Sequence, residues 1–231
     1  MVPALRPIDT PRSQPTAETV YDELYRRIVE GTLPPGSRIS EADTASRLGV
    51  SRQPVREAFS RLHKLNLVSI TPNRATVVAL VSETAVLQAR FVRKALETEI
   101  ARIAAQGIAE HWLDELARLV ERQAAAIAAD DRLGFHELDD AFHATICDAV
   151  GHGFAWTLIR ESKAQMDRVR WLSLAFGAQT ALDDHRRIVA AIRARNPEAA
   201  VAAVRAHLDR IVRILAQVRG NHPELFARER E

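Results

Sequence analysis

The chain has 231 residues, 47% of them hydrophobic and 27% charged, and its net charge is +2. That length allows one large domain or two ordinary ones, and no stretch approaches the roughly 18 consecutive apolar residues that a membrane-spanning helix needs. The single cysteine, Cys147, excludes a disulfide framework and suits a reducing cytoplasm, where it reads as a small buried residue on a helix.

Charge is unevenly placed. Residues 1–80 carry 11 Lys and Arg against 8 Asp and Glu, whereas the remainder carries 21 against 22. Within residues 51–74 five basic side chains face one acidic one, Glu57. Focused basic charge of this kind is what contact with nucleic-acid phosphates requires.

Residues 1–15 hold four prolines and no apolar segment, so a disordered arm is expected there and not a signal peptide. From Glu18 to Glu30, Val20, Leu24, Ile28 and Val29 recur at helical spacing, and Gly31 supplies a stop. The segment LPPGS is extended, because residues before proline avoid the α region. Ser40 then caps a short helix over about 41–48, and Gly49 makes a turn.

The next helix, about 52–65, has two faces. Val55, Phe59 and Leu62 share an apolar stripe, while Arg52, Gln53, Arg56, Ser60 and His63 lie opposite. Ser51 stands where its hydroxyl can cap backbone N–H groups, and Pro54 falls in the first turn, where its missing donor does little harm. Arg, Gln and Ser near the N-terminus of such a helix suit the reading of a DNA major groove. Leu67–Ile70 and Thr76–Leu80, separated by TPNRA, read as a hairpin tipped by Arg74. Three helices and a hairpin make a winged helix-turn-helix over residues 16–80.

Beyond Ser82 the hydrophobic period is helical throughout. Six helices are expected, at about 83–106, 109–129, 132–150, 154–176, 179–194 and 197–218, with Gly177 among the breaks. Short connections favour an all-helical bundle over residues 81–220, with 221–231 left as a tail. The fold class is therefore mostly α.

Polar residues interrupt the apolar stripes of this bundle. Asp139 and His143 are four apart and share a helical face, with His136 one turn back. His185 shares a stripe with Ile188, Val189 and Ile192, and His207 with Val204, Ile211 and Ile214. A histidine on an apolar face is often only a hydrogen-bonded core residue. Brought together, however, three imidazoles and one carboxylate suit Zn²⁺ or another first-row divalent ion, with Ni, Mn or Fe as alternatives.

The segments PPGSRISEADTASRLGVSRQPVREAFSRL and LVSITPNRATVVAL resemble the winged domain of the GntR family of bacterial transcription regulators. Thr44 and Ala75 replace the family's usual Leu and Gly, and Ala42 stands where an Arg is common. The stretches FHELDDAFHATI, DDHRRIVAAI and VRAHLDRI resemble the FCD ligand-binding domain of its FadR-like subfamily. The resemblance implies DNA contacts by Ser51, Arg52, Gln53, Arg56 and Arg74. It also implies a metal site at Asp139, His143, His185 and His207, beside a cavity for a small organic acid whose carboxylate completes the coordination.

Arg93 matches a recurrent pocket arginine, although a pairing with Glu97 at i+4 is an equally good reading. His136 is expected to line the pocket or stand beside the ligands. Arg168, Arg170 and Trp171 are weaker candidates for the lining, and His152 is expected to cap a loop. The implied whole is a cytoplasmic homodimer that meets the nucleoid when bound, reads a palindromic operator as a repressor, and is released by a carboxylate effector. A metal sensor is the alternative, and a metal-dependent enzyme fused to a DNA-binding unit the remote one.

Overall fold

A computed structural model describes residues 16–71 and 75–227 of the chain; the expected N-terminal arm and Arg74 lie outside the described residues. The first helix, α1 (Ala17–Val29), begins at Thr16, whose side chain accepts from Thr19 N–H. A short strand, β1 (Arg38–Ile39), precedes α2 (Glu41–Leu48), where Ser40 caps through a bond from Asp43 N–H. Gly49 closes α2 at φ 66°, a left-handed conformation that glycine adopts without the Cβ penalty.

Then come α3 (Arg52–Lys64), β2 (Val68–Ser69) and β3 (Thr76–Val78). The strands form an antiparallel sheet in the order β1-β3-β2, pairing Arg38 with Val77 and Val68 with Val78. The expected hairpin is present, but β1 was not anticipated: two residues are too few to show a period, and Arg38 and Ile39 become a strand only by pairing with β3. The apolar stripe of α3 meets that of α1, so that Val20, Leu24 and Ile28 enclose Val55, Phe59 and Leu62 together with Leu67, Val68 and Val78. Burying each such side chain contributes about 1.5–3 kcal/mol.

The helical unit comprises α4 (Glu83–Gln106), α5 (Glu110–Ala128), α6 (Arg132–Ala149), α7 (Gly153–Ser162), α8 (Ala164–Arg193) and α9 (Pro197–Asn221). Two expected boundaries move. Gly177 does not end a helix: it lies inside the 30-residue α8. A helical glycine costs only about 1 kcal/mol relative to alanine, which packing along the rest of a long helix outweighs. The break falls instead at Lys163, where no glycine or proline marks it. Ser162 Oγ bonds back to Ile159 O at 2.9 Å, and the buried Lys163 ammonium is drawn to Asp140 and Asp167 at 2.8 and 2.6 Å.

Helix α4 packs on α9 and α8, and α5 packs on α6 and α8. Their shared core holds Ile100, Leu116, Phe142, Ile146, Ile188 and Leu208. Cys147 lies in it fully buried, and burial pushes its thiol up to about 12. Of the residues expected as a tail, the described ones, 221–227, are tied down. Val81 N–H donates to Leu225 O and Ala227 N–H to Val81 O, at 2.8 and 2.9 Å, while Phe226 packs with Val86 and Val218.

Candidate metal centre and DNA-reading surface

Three helices of the bundle each bring polar side chains to one point. Asp139 and His143 come from α6, His185 from α8 and His207 from α9, and one ligand-type atom from each lies within 4.8 Å of all the others. His185 Nε2 is 3.6 Å and His143 Nε2 3.8 Å from the Asp139 carboxylate. These are not hydrogen-bond distances. Asp139 Oδ1, His143 Nε2 and His185 Nε2 are buried and lack any hydrogen-bond partner. Orphaned buried polar atoms cost about 1–3 kcal/mol each, and three aimed at one point fit a shared cation.

The other ring nitrogens are all occupied. His143 Nδ1 meets Glu97 Oε2 at 2.8 Å, His185 Nδ1 meets Gln123 Oε1 at 2.7 Å, and His207 Nδ1 meets Asp184 Oδ2 at 3.3 Å. Carboxylate and amide oxygens only accept, so a neutral ring at each position carries its proton on Nδ1 and leaves Nε2 with a lone pair. Gln123 is itself fixed, since its Nε2 donates to Leu138 O at 3.0 Å. Such outer partners orient the ligands of metal sites and set their tautomers.

Neither Gln123 nor Asp184 was singled out from the sequence, and Glu97 only as a partner for Arg93. A signal existed for Gln123: with Leu116, Leu119 and Ala126 it occupies the buried face of α5.

Electrostatics keep the cluster in a ligating form. Burial alone would raise the Asp139 carboxyl, but the Arg170 guanidinium beside it holds it well below the usual carboxylate range. Burial lowers His185 strongly and takes His207 to about 4, so both rings are neutral at pH 7. Glu97 is held down against its burial by Arg93 and His143.

The other candidates divide. Arg93 lies in the interior. It is buried against Glu97, with Nε 2.5 Å from Oε1, and it also lines a small cavity of about 60 Å³ with Asp139, Met166, Arg170, Ser173 and His207. Arg170 pairs directly with Asp139. Arg168 points elsewhere, donating to Ala79 O at 2.8 Å, and does not line this cavity. His136 faces Trp171 edge-on and joins Asp140 and Asp167 in a second polar cluster, apart from the first. His152 stands at the N-cap of α7 but makes no side-chain cap bond.

In the winged unit Ser51, Arg52, Gln53 and Arg56 are exposed along the N-terminal half of α3, opposite the buried Val55 and Phe59. Ser51 occupies the N-cap position, exposed and without the side-chain bond expected of it. Gln53 Nε2 donates to Glu57 at 2.8 Å, and Arg56 is held by Glu41 of α2 at 3.1–3.3 Å. Arg52 makes no ion pair among the described residues. Arg61 stacks over Tyr21, 3.8 Å from the ring centre, and so is turned away from this face.

A winged helix with an outward basic face, joined to a helical unit enclosing a His₃Asp cluster, defines a class: DNA-binding transcription regulators. Comparison with known proteins agrees. The family "Bacterial regulatory proteins, gntR family" matches residues 16–78, and the FCD domain matches residues 88–210. The HTH-type transcriptional repressor RspR of Escherichia coli K12 is 34% identical over 219 residues, covering 94% of this chain and 96% of that protein. The gluconate operon transcriptional repressor of Bacillus subtilis 168 is 29% identical over 174 residues, 75% and 71% of the two chains. In fold the chain is similar to E. coli McbR/YncC, with a TM-score of 0.75 at 22% identity over 87% of this chain and 97% of that one.

The chain belongs to the GntR family and carries its FCD domain. It is a transcription regulator and not an enzyme, as its matched domains and relatives are. No described helix is long and apolar enough to cross a membrane.

Proposed function

We propose that this chain is a repressor whose hold on its operator is set by a small carboxylate bound beside a divalent metal ion in the helical domain. The observation that carries the metal reading is the convergence of buried, unpartnered Asp139 Oδ1, His143 Nε2 and His185 Nε2, with each imidazole locked through Nδ1. Three neutral imidazoles and one carboxylate suit Zn²⁺, and Ni, Mn and Fe accept the same donors. When bound, such an ion supplies an electrophilic anchor for an effector carboxylate. Arg170 and Arg93 at the cavity wall offer guanidinium groups for its remaining oxygens. Repression is supported by the two repressors to which the chain is similar.

DNA contact falls to the exposed end of α3. Arg52 and Arg56 meet base edges or phosphates, Gln53 a base edge, Ser51 the backbone, and Arg74 the flanking groove. A palindromic operator calls for two copies of the chain. Leu87 and Phe91, one turn apart on α4, stay exposed as an apolar face for self-association, Phe91 at 74%. The chain works in the cytoplasm, where its DNA is.

The metal reading is tested by calorimetry of the chelator-treated chain. Zinc is expected to raise the melting temperature of the wild type but not of His185→Ala, and small carboxylates to raise it further only when zinc is present. A wild type indifferent to zinc, nickel, manganese and iron refutes the reading. One observation favours a second reading, in which the ion itself is the signal. The cavity of about 60 Å³ is small beside the 300–1,000 Å³ or so of ordinary ligand sites, so an organic effector needs Arg170 to move. Operator affinity that responds to metal alone, without any acid, supports the sensor.

A further inference from the structure

The first two turns of α8 touch both functional regions of the chain. On one side they enter the winged unit. Ala164 is buried in its core, Gln165 Nε2 donates to Asn66 O at 2.6 Å, and Arg168 donates to Ala79 O. Between these, Asp167 Oδ2 accepts the Tyr25 hydroxyl of α1 at 2.6 Å. On the other side Arg170 pairs with Asp139 of the metal cradle, and its NH1 lies 3.5 Å from Asp140 and 3.4 Å from Asp167 Oδ1. Asp167 is completely buried and also takes the Lys163 ammonium at 2.6 Å. One guanidinium thus separates the cradle carboxylate from the carboxylate that grips the winged unit.

From this geometry we infer that Asp167 is the coupling junction of the regulator, converting occupancy of the cradle into a change in its grip on Tyr25. The inference rests on the metal centre proposed above. Arg170 is shared among three carboxylates, and what one gains the others lose. Once Asp139 is committed to a cation, its charge is partly spent and Arg170 is drawn toward Asp140 and Asp167. The Asp167 oxygens are then contested by Arg170, Lys163 and Tyr25, and the neutral phenol is the weakest competitor.

Tyr25 lies on α1, which packs directly against the reading helix α3, so a loosened Tyr25 alters the seating of α3 on the bundle. A cleft of about 730 Å³, lined by Tyr21, Tyr25, Arg61 and Lys163, leaves room for that movement. Tyr25 and Asp167 are positioning residues here; neither touches DNA or the ion.

The test uses the full chain, Tyr25→Phe, which removes one hydroxyl and keeps the ring, and Arg168→Met, which removes a different bond between the units. Zinc uptake and hydrogen exchange of the Leu24–Val29 amides are measured on the same samples, metal-depleted and zinc-loaded. In the wild type, zinc is expected to speed exchange on α1 by on the order of tenfold, the scale of one hydrogen bond to a charged group. Tyr25→Phe should take up zinc as the wild type does yet show no zinc-dependent change on α1, whereas Arg168→Met should keep the change.

Zinc bound with α1 unaltered in the wild type overturns the junction and leaves the metal centre standing. So does a full wild-type response in Tyr25→Phe, or a response lost equally in Arg168→Met. A wild type that binds no zinc removes the metal centre and the junction together.

Discussion

Glu97→Gln probes the cradle through a residue that is not itself a ligand. The glutamate is buried at 5% exposure, with Oε1 2.5 Å from Arg93 Nε and Oε2 2.8 Å from His143 Nδ1. Glutamine keeps the volume and removes the charge. Arg93, itself only 2% exposed, then keeps a full charge with no carboxylate partner. Breaking a buried pair from one side costs about 3–5 kcal/mol; an amide oxygen recovers part of this, so a loss of about 3 kcal/mol is expected. Against the 5–15 kcal/mol or so by which domains are stable, that is large.

The amide also offers His143 a donor where it had an acceptor, which favours the tautomer with a proton on Nε2, pointing into the cradle. Loss of such an orienting partner lowers metal affinity about 10–100-fold. Urea unfolding of the chelator-treated chain and competitive zinc titration measure the two effects separately. A stability loss under about 1 kcal/mol together with unchanged zinc affinity would show that Glu97 neither neutralises Arg93 nor orients His143.

Phe142 stacks on His185 at 4.2 Å between ring centres and is fully buried. Phe142→Ala should cost about 3–5 kcal/mol in denaturant unfolding and weaken zinc binding as His185 loses its backing. Low pH should destabilise the metal-depleted chain through His207. Burial sets this group at about 4 in the folded state against roughly 6.5 unfolded, so the unfolded chain binds more protons between those values. Stability is full above about 6.5 and falls by up to about 1.4 kcal/mol per unit on acidification toward 4; a flat pH profile for the wild type, or the same slope in His207→Phe, contradicts this. On DNA carrying the chain's own operator, Arg52→Ala should weaken binding by about 1–3 kcal/mol if it reads a base, or reduce the salt slope by about one if it meets a phosphate. Unchanged affinity and salt slope would rule out the docking of α3.

Much of this organisation was legible because it rests on local rules. The stripe Val55, Phe59 and Leu62 marked the buried face of α3 and so its exposed one, and Gly49 marked the turn before it. Asp139, His143, His185 and His207 were legible as polar interruptions of apolar stripes, and the structure brings those four together. What escaped is set by tertiary contact. The break at Lys163 comes from a buried ammonium seeking Asp140 and Asp167, partners 23 residues back and four residues ahead in sequence. Gly177 carries a helix through because its neighbours pack, which no propensity reports. Glu97 and Asp184 look like ordinary surface charges until the fold sets them behind imidazoles. The Tyr25–Asp167 bond spans 142 residues and leaves no periodic trace.

Regulation through the helical domain requires that the four side chains hold a metal ion. The direct measurement is equilibrium zinc titration of the chelator-treated chain, paired with the His143→Ala/His185→Ala double variant and with circular dichroism as a check that both are folded. The wild type should take up one tight ion per chain and the folded double variant none. Equal uptake by both, or no tight uptake by the wild type, would mean that these four side chains are not a metal site.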